Sequence, residues 1–212
     1  MTARLSTAPR AGAPAAAHRV GHGAALLATL LLPGVSCAVE LNLATVNCSK
    51  YENEILAGTL AGYDTDPIDT VMWLFGYSVA HAGDHHMYGD SLKDFGFALD
   101  GECKENPHET LLDALAAVKS KRENPMDLST LDCKTFAPRH TALGTSDPES
   151  ANTLTMWLFG YAVGLSGSHL FDATAVKRFD AGLTARCTSH PEESVLDALA
   201  APNPAVHARR PP

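Results

Sequence analysis

Apolar residues in this chain recur at helical spacing and nowhere alternate convincingly. After Cys48, a proline-free stretch to about Leu60 carries Tyr51, Ile55 and Leu56 on one face, and Gly58 and Gly62 predict a break soon afterwards. A second helix has a well-marked start. Asp66 can cap, Pro67 suits the first helical position, and Asp69 falls in the first turn, where a carboxylate complements the exposed amides. It runs to about Ala82, and because Met72 to Phe75 are apolar all round, it is expected to be central and buried. A third helix, from about Asp90 to near Cys103, places Leu92, Phe95 and Leu99 inward. Asn106-Pro107-His108-Glu109 then reads as cap, first-position proline and reciprocal carboxylate, opening a helix from Leu111 to Val118. The predicted fold class is all-α.

The same plan returns further along. Met72-Trp73-Leu74-Phe75-Gly76-Tyr77 recurs letter for letter as Met156-Trp157-Leu158-Phe159-Gly160-Tyr161, and residues 72–117 match 156–201 at 21 of 46 positions without a gap. Asp147-Pro148-Glu149 supplies the matching helix start before Trp157. The reading is of two tandem small four-helix domains, 39–118 and 128–201. A charged, proline-containing linker (119–127) joins them, and a disordered tail (202–212) follows. Each unit has one early and one late cysteine. Four cysteines allow three pairings, and the duplication favours Cys48 with Cys103 and Cys133 with Cys187; free buried thiols are the alternative.

Residues 1–38 hold Arg4, Arg10 and Arg19, no acidic residue, an apolar run from Ala24 to Leu32, and Ser36-Cys37-Ala38. This is the layout of a signal peptide cleaved after Ala38, with lipid attachment at Cys37 the minor alternative. The run is far shorter than the roughly 20 residues that span a bilayer. Export places the protein in the periplasm and leaves 13 basic against 24 acidic residues. That acidic balance argues against a nucleic-acid partner, which requires a basic face.

Catalysis finds little footing. The chain has no Gly-x-Ser-x-Gly elbow, no phosphate-cradling glycine loop and no His-Glu-x-x-His helix, so no catalytic residue and no cofactor is expected. Asp113 and Asp197 recur but read as surface or capping carboxylates. His81 and His85 are spaced to share a helical face, with His86 beside them, and two imidazoles could hold a metal. Gly83 and Gly89 interrupt that helix, and only His169 repeats in the second unit, so a solvated loop is preferred and no metal site is assigned. Trp73, Phe75 and Tyr77, with Trp157, Phe159 and Tyr161, are assigned to the repeat core in preference to a ligand pocket. Gly76 and Gly160 leave room there for a backbone to approach.

The order of these features resembles the small periplasmic acid-stress chaperones of the HdeA/HdeB type. The shared pattern is an early cysteine, a Trp-x-x-Gly-Tyr helix, a late cysteine followed by x-Pro, and a closing Leu-Asp-Ala helix. It occurs as Cys48, Trp73 to Tyr77, Cys103, Pro107 and Leu112 to Ala114, and again as Cys133, Trp157 to Tyr161, Cys187, Pro191 and Leu196 to Ala198. The resemblance implies an ATP-independent holdase for unfolded or acid-denatured periplasmic proteins. In such a protein acid dissociates a self-associated form while the disulfides retain chain topology. The alternatives are a dedicated protein-binding module of the small secreted immunity type and, behind it, a histidine-based metal binder. Carboxylates at helix starts, Asp66, Asp69, Glu109 and Glu149, are expected to have lowered pKa values if they cap amides.

Overall fold

The computed structural model describes residues 40–58, 66–118, 124–203 and 205–206; the expected signal peptide lies outside the described residues. The chain is mostly helical, and its elements come in the same order twice. The first half comprises β1 (Glu40–Asn42), α1 (Cys48–Lys50), α2 (Pro67–His81), β2 (His86–Tyr88), α3 (Leu92–Glu105) and α4 (Leu111–Ala117). The second comprises β3 (Pro125–Asp127), α5 (Cys133–Ser146), α6 (Pro148–Leu165), β4 (Leu170–Asp172), α7 (Val176–Ser189) and α8 (Val195–Ala200).

Local chemistry accounts for most helix boundaries. Asp66 caps α2 by accepting from the Ile68 amide at 2.8 Å, and Asp147 caps α6 by accepting from the Ser150 amide at 3.1 Å. The last helix of each half departs from expectation. Thr110 and Ser194, rather than the Asn106-Pro107 and His190-Pro191 segments, cap α4 and α8, accepting from the amides of Asp113 and Asp197. Both hydroxyls also donate to those aspartates, at 2.6 and 2.7 Å, which makes Asp113 and Asp197 parts of reciprocal caps. The first expected helix is regular only to Lys50; Tyr51–Leu56 continues as a π-helix and ends at Gly58, whose φ of 64° suits glycine. The matching α5 stays α-helical despite Pro138.

Four three-residue strands are the feature that the hydrophobic pattern does not announce. β1 pairs antiparallel with β4, with Leu41 opposite Phe171, and β2 pairs antiparallel with β3, with Met87 opposite Met126. Each pair joins one half to the other. Residues 125–127, expected as the end of a linker, are therefore ordered in a strand. Part of the expected disordered tail is packed, because Ala205 and Val206 are buried.

Within each half, a disulfide ties the first helix to the third. Cys48 is bonded to Cys103 and Cys133 to Cys187, with Cα–Cα distances of 4.8 and 4.7 Å. Closing loops of 55 and 54 residues in this way restricts the unfolded chain. In the chain-entropy account each closure contributes about 4 kcal/mol.

The largest packing contact is between α2 and α6. Asn152 meets Asp69 near the start of both helices and Gly164 meets Tyr77 and Ala80 near their ends, so the helices run parallel; between these contacts Gly76 lies against the Trp157 carbonyl and Gly160 against the Trp73 carbonyl. A Cβ on Gly76 or Gly160 would fall onto the facing carbonyl oxygen. The sequence reading gives each unit its own small core; the buried residues instead form one cluster that spans both halves. At its centre Trp73 and Phe171 pack with ring centroids 4.8 Å apart, while Phe75–Phe95 and Phe159–Phe179, at 4.7 and 5.2 Å, tie α2 to α3 and α6 to α7.

The crossing therefore tolerates no side chain. Gly160→Ala is expected to push the helices apart and lower stability by about 2 kcal/mol or more, read as a fall in the urea midpoint. Gly101→Ala, where an added Cβ meets nothing within 4 Å, is the comparison that should cost nothing.

Candidate functional site

Parallel packing brings like helix ends together, and the residues at each end follow from that. The two amino termini present aligned partial positive charges, and carboxylates gather there: Asp66 and Asp69 from α2, Asp147 and Glu149 from α6. Asn152 on α6 donates to Asp69 Oδ2 at 2.6 Å, bridging the halves.

The carboxyl-terminal end carries aromatic and imidazole groups in matching cross-half pairs. Tyr77 Oη and His169 Nδ1 are 2.6 Å apart, and His85 Nδ1 and Tyr161 Oη are 3.0 Å apart. The same residue types meet with the halves exchanged. Backbone bonds repeat the exchange: Leu43 N donates to His169 O and Leu128 N to His85 O, each at 2.9 Å. Burial pushes the Tyr77 phenol up to about 12; burial, then the charges of Asp84 and Asp127, do the same for Tyr161. Both phenols stay neutral wherever the carboxylates and imidazoles titrate.

Proton positions differ between the two pairs. Tyr161 donates to the Asp84 carbonyl at 2.9 Å, so it accepts from His85 Nδ1–H, an arrangement that survives protonation of the ring. In the Tyr77–His169 pair either group can donate, and protonation of His169 fixes Nδ1 as the donor. His81 stacks on Tyr77 at 5.6 Å and lies edge-on to His169 at 6.5 Å.

Of the three clustered histidines, His81 and His85 thus reach the seam, while His86 turns to Asp84 Oδ1 at 2.8 Å. Among the described residues no group of three or more His, Cys, Asp or Glu is arranged to hold a metal, and no helix is long and apolar enough to cross a membrane. The six repeat aromatics Trp73, Phe75, Tyr77, Trp157, Phe159 and Tyr161 are all buried along the seam.

One buried polar cluster escapes the motif reading. His140, 8% exposed, lies 3.1 Å from Thr155 Oγ1 and 3.7 Å from Asp180 Oδ1. The matching positions of the first half hold Ile55, Val71 and Gly96, so the cluster belongs to one half alone. Its one trace in the sequence is this mismatch between otherwise matching segments.

The carboxylates do not respond to acid alike. Hydrogen bonds from Ser150, Thr135 and Ser129 hold Asp147, Asp132 and Asp127, respectively, below the usual range. Their stabilisation is present above the unfolded value near 4 and is lost as pH falls through the folded values. Asp69 and Glu109 go the other way, contrary to the expectation for helix-start carboxylates. Burial, and then nearby negative charge, raises both, although the Asn152 bond pulls Asp69 partly back. These two groups favour the folded state more as pH drops. Net loosening is thus expected below about pH 4, where the three lowered groups take protons.

A model of the HdeA/HdeB family matches residues 112–197, from α4 to α8, in one stretch that contains all of α5, α6 and α7. The match supports a relationship to that family. No curated protein and no solved structure matches the chain significantly.

Two variants check the electrostatics. Asp147→Ala should lower the thermal midpoint at neutral pH, with the difference from the parent shrinking as pH falls below about 4, because the cap carboxylate is protonated first in the unfolded parent and, at lower pH, in the folded parent too. His140→Ile with Thr155→Val, which installs the residues of the matching first-half positions, removes both partners of the buried bond and should change the thermal midpoint little at neutral pH.

Proposed function

We propose that the chain is an exported, ATP-independent holdase that acid activates to bind unfolding periplasmic proteins. In this reading residues 1–38 are a cleaved signal peptide, and residues 39–118 and 128–201 are tandem HdeA-like units that cover one another within a single chain. The observation that carries it is the α2–α6 seam. The most apolar helices of the molecule are covered by each other, and both ends of their contact carry groups that change charge in acid. The family match over residues 112–197 supports an acid-stress chaperone kind of function.

The physical sequence is short. Below about pH 4 the caps Asp132 and Asp147 and the turn carboxylate Asp127 lose their advantage. The chain, acidic at neutrality, becomes strongly positive. Self-repulsion then opens the seam and exposes Trp73, Trp157 and their neighbours. The two disulfides lie inside the halves and do not cross the seam, so each half keeps its topology while the halves part.

Light scattering of an aggregation-prone client, with and without the oxidised protein lacking residues 1–38, tests this directly. Suppression of aggregation in strong acid and none at neutral pH is expected, with reduction of the disulfides weakening it. Absence of suppression at both pH values overturns the proposal.

A further inference from the structure

The two ends of the strand exchange are built from matching positions, and they differ in one respect. At the β1–β4 end, Leu41 and Phe171 face each other, 1% and 0% exposed, and plug the core against Trp73. At the β2–β3 end the same two positions are Met126 and Met87; Met126 is 45% exposed and Met87 half-buried. Where Phe171 fills space, Met87 leaves it. An apolar cavity of about 130 Å³ lies under the β2–β3 pair, walled by Leu128, Phe136, Leu143 and Leu158, with Arg139 and His140 at its far side. Through Met87 and Leu154, which line both, it continues into a wider hollow of about 510 Å³ bounded by Met72, Tyr88, Trp157, Asp147 and Glu149.

Two observations turn this from a packing gap into a site. Three of the chain's five methionines, Met72, Met87 and Met126, line it, and unbranched thioether side chains can reshape around varied apolar groups. The outer end is negatively charged, since Asp147 and Glu149 stand together there and hydrogen bonds from Ser150 favour the ionised form of Asp147.

We propose that this groove docks an extended segment of another protein at neutral pH. An aliphatic side chain of that segment enters over Met87, and a lysine or arginine three or so residues away sits beside Asp147 and Glu149. The stem of such a basic side chain packs on Met72 and Leu154 while its head meets the carboxylates. The site exists in the closed, folded molecule, so it is independent of the acid-opened seam and stands or falls separately from the holdase reading.

Fluorescence anisotropy with a short labelled peptide of alternating leucine and lysine tests the proposal, using the full oxidised protein at neutral pH. Saturable binding that weakens with salt is expected. A control peptide with serine for leucine should bind about tenfold or more weakly, as loss of one buried aliphatic side chain predicts. Met87→Phe with Met126→Leu, which installs the residues of the closed end, should also reduce binding about tenfold while leaving the thermal midpoint equal or higher. Asp147→Ser with Glu149→Gln keeps a capping side chain at position 147 and should flatten the salt dependence. A photoreactive leucine in the peptide should crosslink the parent protein around Met87, a readout that needs no variant to fold. Equal binding of the serine peptide, undiminished binding to the folded double-methionine variant, or crosslinks scattered over the acidic surface would overturn the proposal.

Discussion

Two glycines set the distance between α2 and α6, and nearly everything else in the molecule follows from that distance. With Gly76 and Gly160 each facing a tryptophan carbonyl, the helix backbones come together without intervening side chains. The large residues then point outward to either side of the crossing. Trp73 and Trp157, Phe75 and Phe159, Tyr77 and Tyr161 each find partners in the surrounding helices and strands, and the core is continuous across both halves. Larger residues at the crossing would force the helices apart and loosen every layer packed on them.

The parallel direction of that contact imposes an electrostatic pattern. Like helix ends lie together, a weakly unfavourable alignment that the carboxylates at the amino-terminal end offset until acid neutralises them. Burial at Asp69 and Glu109 works in the opposite sense, so the response to acid is a balance in which the hydrogen-bonded aspartates outnumber the raised carboxylates. The disulfides stand outside this balance because protons do not touch them.

Departures from matching sequence are as informative as the matches. Met87 and Met126 open one end where Phe171 and Leu41 close the other. His140, Thr155 and Asp180 place a polar cluster where the first half holds Ile55, Val71 and Gly96. Both differences fall near α5 and α6, which puts a buried imidazole where the first half has Ile55 and leaves an apolar groove under the β2–β3 pair.

The helices, the caps of α2 and α6 and the buried aromatic set were legible in the chain itself. These rest on interactions within a few residues: apolar spacing around Trp73 and Trp157, and Asp-Pro starts at positions 66 and 147. The sequence also held the family pattern, carried by the order of cysteines, aromatics and prolines. Only the tertiary structure decided where the two halves meet. Three-residue strands have no periodicity to read, and β1 finds its partner β4 some 130 residues away by packing. The same holds for the raised Asp69 and Glu109: a helix-start carboxylate looks alike in any sequence, and only the surrounding chain determines whether hydrogen bonds or burial govern its proton.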